Sequence, residues 1–160
     1  MIRKVKPEDA QEIVDIYNYY VKNTIVTFDN IPFTVEAFKT KIETISKSFP
    51  FIVFEEKNKI LGYAYANKWR EKPAYKNTVE STVYLHYEAQ GKQIGTKLYA
   101  ELLAQLKNEN YHVIVGGLTL PNKASVKLHE KFGFKQVAHF KEVGYKFNKW
   151  LDVGFWQLNL

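Results

Sequence analysis

Apolar residues recur along this chain in two rhythms, a strand period of two and a helical period near four, and the changes of rhythm mark its elements. Ile2 to Val5 alternates and predicts a short opening strand, ended by Pro7. Pro7-Glu8-Asp9 predicts a helix start, with proline in the first turn and acids near the positive end of the dipole. Ile13, Ile16, Tyr17 and Tyr20 give that helix one apolar face. Thr24 to Phe33 has neither rhythm and turns at Asp29-Asn30. Thr34 caps a second helix carrying Phe38, Ile42 and Ile45 at helical spacing. Phe51 to Phe54 reads as a buried strand, Lys57-Asn58-Lys59 as a hairpin turn, and Ile60 to Trp69 as the partner strand with Gly62 inside it.

A charged loop, Arg70 to Asn77, leads into a strand over Glu80–His86. A polar turn from Tyr87 to Lys92 follows, and then Ile94, Leu98, Leu102 and Leu106 form the stripe of a helix. His112 to Leu120 is a further strand, rich in Val and Ile. Pro121-Asn122 opens a short helix to Lys131, closed by Gly133 at the C′ position. Phe134 to Tyr145 and Phe155 to Leu160 predict two last strands. The order β-α-α-β-β-β-α-β-α-β-β implies an α/β fold, a mixed sheet with helices on both faces. With no repeat, linker or low-complexity tract, residues 1–160 read as one domain.

Composition narrows the class. The chain is 46% hydrophobic and 16% aromatic, with 11 Tyr, 11 Phe and 3 Trp, which suits a single core with aromatic walls. It has no cysteine, so disulfides, thiolate metal sites and a cysteine acyl-enzyme are excluded. No metal is expected. The first residues lack an apolar leader core and no window offers the roughly 18 apolar residues of a membrane span. The expectation is a cytoplasmic protein that engages no membrane. The net charge of +6 comes from lysines scattered singly among acids. That pattern predicts a solvated basic surface or an anionic small ligand, and no nucleic-acid partner.

Three groups of residues are candidates for chemistry. A strand running into a glycine-bearing turn and a helix, as at Glu80–Leu106, points unpaired helical N–H groups beyond the strand end, where they favour phosphate. Plain α/β packing uses the same pattern. Glu80 is a carboxylate at a strand start; facing a pocket it could be desolvated into a general base, and facing water it is a solvated edge residue. Arg70, Lys72 and Tyr75 put two cations and a phenol in one loop, able to bind an oxyanion or simply to be solvated. His129 lies four residues after Ser125 on one helix face.

The turn, Gln90-x-x-Gln93-x-Gly95, resembles the pyrophosphate loop of the GCN5-related N-acetyltransferases, with Gln93 where that family usually has glycine. His129-Glu130-Lys131-Phe132-Gly133-Phe134 resembles the family's Tyr-Glu-x-x-Gly-Phe motif, with histidine in place of tyrosine. Trp69-Arg70 with Tyr75, Thr78 to Tyr84, Leu120-Pro121-Asn122 with Ser125, Val143-Gly144-Tyr145-Lys146, and Trp150-x-Asp152 to Leu158 are similar to the phosphinothricin and methionine sulfoximine acetyltransferase branch. Ile16-Tyr17-Asn18-x-Tyr20 and Thr27-Phe28 extend the resemblance to most of the chain.

That resemblance implies a central mixed sheet of about seven strands flanked by about four helices. It implies acetyl-CoA as co-substrate, Glu80 as general base and His129 as the second catalytic residue, meeting the sulfur or positioning the amine. Val83, Tyr84 and Leu85 would face the acyl and pantetheine portions, through backbone N–H groups freed by a splayed or bulged strand. Gln90, Gly91, Lys92, Gln93, Ile94, Gly95 and Thr96 would hold the diphosphate, and Asn122 and Lys131 the rest of the cofactor. Phe28, Arg70, Lys72, Tyr75, Ser81 and Thr82 would line the site for a small amino-acid substrate. A homodimer is expected. Two rivals are the same fold acetylating a protein N-terminus or another amine, and a non-catalytic acyl-CoA sensor.

Overall fold

The two apolar rhythms are realised as a single sheet with a helix pair on each face. A computed structural model describes residues 1–160. The strands are β1 (Ile2–Lys4), β2 (Phe51–Glu56), β3 (Lys59–Lys68), β4 (Thr78–Leu85), β5 (Val113–Leu120), β6 (Lys135–Lys146) and β7 (Lys149–Asn159). They lie in the order β1-β2-β3-β4-β5-β7-β6. Only β4 and β5 run parallel. The α/β mixed-sheet expectation, with its seven strands and four helices, therefore holds.

Helices α1 (Ala10–Asn23) and α2 (Val35–Ser46) cover one face, burying Ile13, Tyr17, Phe38 and Ile42 against Phe51, Tyr63 and Tyr65. Helices α3 (Ile94–Asn108) and α4 (Lys123–Lys131) cover the other. There Leu98, Tyr99, Leu102 and Leu106 pack on Ala64, Val79, Ile114 and Trp156. Alternation along β4 divides its residues between these cores: Val79 and Ser81 point to α3, while Tyr84 packs among Tyr17, Tyr20 and Tyr63 beside α1. No helix is long and apolar enough to cross a membrane.

Several predicted boundaries move. The first helix proper starts at Ala10, after a 3-10 turn at Pro7–Asp9. β4 starts at Thr78, because Thr78 and Val79 continue the extended run and Val79 is fully buried. Glu80 is thus the third residue of that strand and not its opening residue. The last strand starts at Lys149, six residues before Phe155. Lys149 to Gly154 are held in it by pairing with β6 across a two-residue turn in which Phe147 (φ 52°) and Asn148 (φ 57°) are both left-handed.

One feature of the sheet positions everything that follows. β4 and β5 are paired only at Thr78–Val113, Val79–Ile114 and Glu80–Val115. Beyond Glu80 the strands diverge: β4 stays on β3 to Leu85, and β5 stays on β7 to Leu120. A wedge-shaped gap opens between them, with α3 starting beyond one arm and α4 beyond the other.

Candidate active site

The backbone of β4 faces this gap in a fixed phase. The His86 N–H donates to Leu61 O at 2.9 Å, so Thr82 and Tyr84 turn their backbone groups to β3. Ser81, Val83 and Leu85 turn theirs the other way. Tyr20 Oη confirms the phase by donating to Leu85 O at 2.6 Å from outside the ladder. The N–H groups of Val83 and Leu85 therefore point into the gap, freed by divergence of the strands and not by a bulge. The side chain of Tyr84 points away from it into the α1 core.

At the mouth of the gap the turn is built from two left-handed residues, Gly91 (φ 77°) and Gln93 (φ 60°). Gln93 is the N-cap of α3 and makes no side-chain cap. The first helical bond is from Lys97 N to Gln93 O at 3.1 Å, which leaves the N–H groups of Ile94, Gly95 and Thr96 without helical acceptors. No acid lies in this first turn. Lys92 and Gln93 are exposed beside it. Gln90 turns inward, its Nε2 donating to Tyr20 Oη at 3.3 Å. Gly95 allows close packing of Leu85, which an added Cβ would meet at 3.4 Å.

Glu80 points to the face that carries α1 and α2. It stands opposite Asn67 on β3, and a Cβ added to Gly117 on β5 would lie 3.4 Å from its Oε1. Phe155 packs over Gly117, and Trp69 meets Phe155 edge-on with centroids 5.7 Å apart. Arg70 stacks its guanidinium 4.9 Å above the Trp69 ring. Burial pushes the Glu80 carboxyl above its ordinary pKa, and the positive charge of Arg70 partly opposes this. The result is a desolvated carboxylate with one cation beside it. Lys72 and Tyr75 lie exposed in and before a 3-10 turn at Pro73–Tyr75, and no contact ties either of them to Glu80.

His129 is only 3% exposed and occupies the opposite face. A Cβ on Gly116 would fall 2.5 Å from its Nε2, so the imidazole fits only because that residue is glycine. The ring packs edge-on against Tyr99 and Phe134 at 5.1 Å. Its Nδ1 lies 2.7 Å from Ser125 O. A carbonyl only accepts, so Nδ1 carries the hydrogen and Nε2 the lone pair. Burial lowers the pKa of this histidine, with the Ser125 bond opposing, and favours the neutral ring. Tyr99 in turn bonds Ser81 Oγ at 2.6 Å. Asn122 accepts from Ser125 N at 3.2 Å and so caps α4. Lys131 is the exposed last residue of α4, at the end away from Asn122.

Phe28 belongs to the loop between α1 and α2 and lies flat on β6 at Gly144, where an added Cβ would clash at 2.2 Å. Lys146, 4% exposed, donates to Thr27 O at 2.8 Å. Tyr17 Oη bonds Thr27 Oγ1 at 2.7 Å and also Asp29. Asn18 holds both backbone groups of Phe33. This loop is strapped down along its length.

Sequence reasoning passed over Tyr99, Gly116 and Gly117, and read Tyr20 only as part of a helix face and of the family resemblance. Paired glycines inside a Val- and Ile-rich strand were the available signal, since glycine there marks a close approach.

The sheet thus opens between two parallel strands, with free N–H groups along one edge, an acid-free helix start at its mouth and a half-buried carboxylate at its root. Residues 2–154 match the family model described as the acetyltransferase (GNAT) domain. The chain is 39% identical to a phosphinothricin N-acetyltransferase of Streptomyces coelicolor, over 98% of this chain and 94% of that one. It is 34% identical to the L-methionine sulfoximine/L-methionine sulfone acetyltransferase of Salmonella typhimurium, covering 99% and 94%. A GNAT superfamily phosphinothricin acetyltransferase of Sinorhizobium meliloti, solved in complex with AcCoA, superposes with a TM-score of 0.97 at 30% identity, covering 100% of this chain and 88% of that one. This chain belongs to the GNAT acetyltransferase family and is an N-acetyltransferase.

Proposed function

We propose that this enzyme transfers an acetyl group from acetyl-CoA to the α-amine of a small glutamate- or methionine-like amino acid, of the kind represented by phosphinothricin, methionine sulfoximine and methionine sulfone. The observation that carries this reading is Glu80, a half-buried carboxylate beside Arg70 at the root of the gap between β4 and β5. The named activities of the relatives support the substrate class. Acetyl-CoA supplies an activated acyl thioester and a diphosphate.

The residues present fit that co-substrate. The unpaired N–H groups of Ile94, Gly95 and Thr96 suit the diphosphate, with Lys92 near it and Gly91 and Gln93 shaping the turn. The Val83 and Leu85 N–H groups suit the amide arm and the acyl carbonyl oxygen. Asn122 keeps its Nδ2 for the same arm. Glu80 takes the proton that the α-ammonium must lose before it can attack, directly or through a water. Arg70 orients the substrate carboxylate, and Lys72, Tyr75, Thr82 and Phe28 are assigned to the amino-acid end of the cleft. His129, holding its hydrogen on Nδ1, offers an acceptor at Nε2, so the departing thiolate takes up the second proton that the attacking nitrogen sheds. With no cysteine in the chain, transfer is direct.

A homodimer is part of this reading. The β6–β7 hairpin exposes Phe140, Val143, Tyr145, Phe147 and Trp150 at the open edge of the sheet, the last 65% accessible. The test of function is thiol release from acetyl-CoA across phosphinothricin, methionine sulfoximine, methionine sulfone and the common amino acids. Turnover confined to that first group supports the reading; no release with any amino acid overturns it.

A further inference from the structure

Lys41 is the cation of this molecule with the least expected surroundings. It projects from α2 and its Nζ lies 5.2 Å from the Phe38 ring centroid, 5.5 Å from Tyr17 and Tyr65, and 5.7 Å from Phe33. Four rings therefore hold one ammonium in place, and no carboxylate is paired with it. A lysine that merely covers aromatic surface keeps its head in bulk water. This one is half-buried against the rings and faces a solvent-open cavity of about 540 Å³, lined also by Thr40, Thr44, Asn67, Lys68 and Glu71. Lys68 and Glu71 neutralise each other at 3.2 Å, which leaves Lys41 as the uncompensated charge of the lining.

The cavity adjoins the catalytic face. Asn67 in its wall is the cross-strand partner of Glu80, and Tyr65 in the lysine cage is the partner of Thr82. The side chains of Tyr65 and Asn67 share the α1/α2 face with Glu80, two residues or about 7 Å apart along β3. Tyr65 thus has the Lys41 ammonium over its ring and shares a sheet face with Glu80, so the aromatic cage and the carboxylate lie on the same side of the sheet.

We propose that Lys41 is a specificity-determining residue. It receives the anionic end of a substrate side chain, a carboxylate or phosphinate, while the α-amine of the same molecule lies at Glu80 and its α-carboxylate at Arg70. The inference rests on the amino-acid acetyltransferase reading and adds a preference for acidic over neutral side chains.

The experiment measures kcat/KM for phosphinothricin, whose side chain ends in an anion, and for methionine sulfone, whose side chain is neutral, in wild type, Lys41→Met, Lys41→Gln and Lys41→Arg. Losing one charge-assisted contact lowers the phosphinothricin to methionine sulfone ratio about tenfold to a hundredfold in the Met and Gln variants, through KM. Arg restores most of the ratio. A ratio that stays constant, whether both activities fall together or neither changes, overturns the proposal and leaves the function intact. Wild-type protein that acetylates neither compound overturns the underlying function, and the role of Lys41 with it. Thermal melting of each variant separates misfolding from altered selectivity.

Discussion

Glu80 and His129 address the same strand from opposite sides. A Cβ on Gly117 would lie 3.4 Å from the carboxylate, and one on the adjacent Gly116 would lie 2.5 Å from the imidazole. Gly116 thereby admits the imidazole, Gly117 accommodates the Phe155 ring with the carboxylate at ordinary contact distance, and both groups reach one short stretch of β5 from opposite faces. In the proposed reaction, this places proton removal from the amine on the α1/α2 face and His129 on the α3/α4 face.

Removing the carboxylate should slow the enzyme and steady the fold. Glu80→Gln is expected to lower kcat/KM about 10²- to 10⁴-fold at neutral pH and to abolish the acidic limb of the pH profile. Because burial raises the folded-state pKa, the native protein holds this proton more tightly than the unfolded chain does. Stability therefore falls as pH rises from the unfolded value through the raised one, and the cost is fully present above it. The glutamine variant should melt higher at pH 8, by an increment that shrinks toward pH 4. Calorimetry across that range checks the sign.

His129 depends on the absence of a side chain beneath it. Gly116→Ala should displace the ring from Ser125 O and destabilise the protein by about 1–3 kcal/mol through overpacking. Gly117→Ala meets Glu80 and Phe155 at 3.4 and 3.0 Å and should impair amine attack more than folding. Urea midpoints set beside kcat for the two variants show whether the faces separate in this way.

Gln93 holds a backbone conformation that costs a residue with a Cβ about 1–2 kcal/mol. Gln93→Gly should remove that strain and clear the approach to the α3 N-terminus. The expected result is a lower KM for acetyl-CoA with little change in the amino-acid KM. Initial rates with each substrate varied in turn measure the split.

Lys146 ties β6 to the loop that carries Phe28 through the single bond to Thr27 O. Lys146→Met keeps most of the bulk and loses the strap. The amino-acid KM should rise several-fold while the acetyl-CoA KM holds, and amide exchange should quicken across residues 24–34. Unchanged exchange there would refute the strapping role.

Trp150 is the most exposed aromatic on the β6–β7 hairpin. If that edge joins two copies, Trp150→Glu should convert a dimer to a monomer in sedimentation equilibrium at micromolar protein. A monomeric wild type would refute the proposed assembly.

The helices were legible because their stripes are long and unbroken: Ile94, Leu98, Leu102 and Leu106 leave no other reading. The hairpin at Lys57-Asn58 was legible for its asparagine, whereas Phe147 hides the equivalent turn because an aromatic seldom adopts φ of 52°. That concealed the first half of β7. At the site, the residue types of Glu80, Arg70 and the 90–96 turn could be read, since their chemistry is written in the side chains. The divergence of β4 from β5 was anticipated only through the family resemblance, as a splayed or bulged strand, because pairing between segments about thirty residues apart leaves no local signal. The cage around Lys41 is equally non-local, assembled from α1, α2, β3 and the intervening loop.

Because three residue pairs are all that join β4 to β5, the protein carries a seam through its own middle. An extended molecule bonded to Val83 and Leu85 on one bank and packed on β5 from the other would act as a bridging rung. Binding would then add to the α3 core that already spans the seam, by about 2.7 kcal/mol at a hundredfold excess over Kd. The loaded enzyme would accordingly resist a protease longer than the free one.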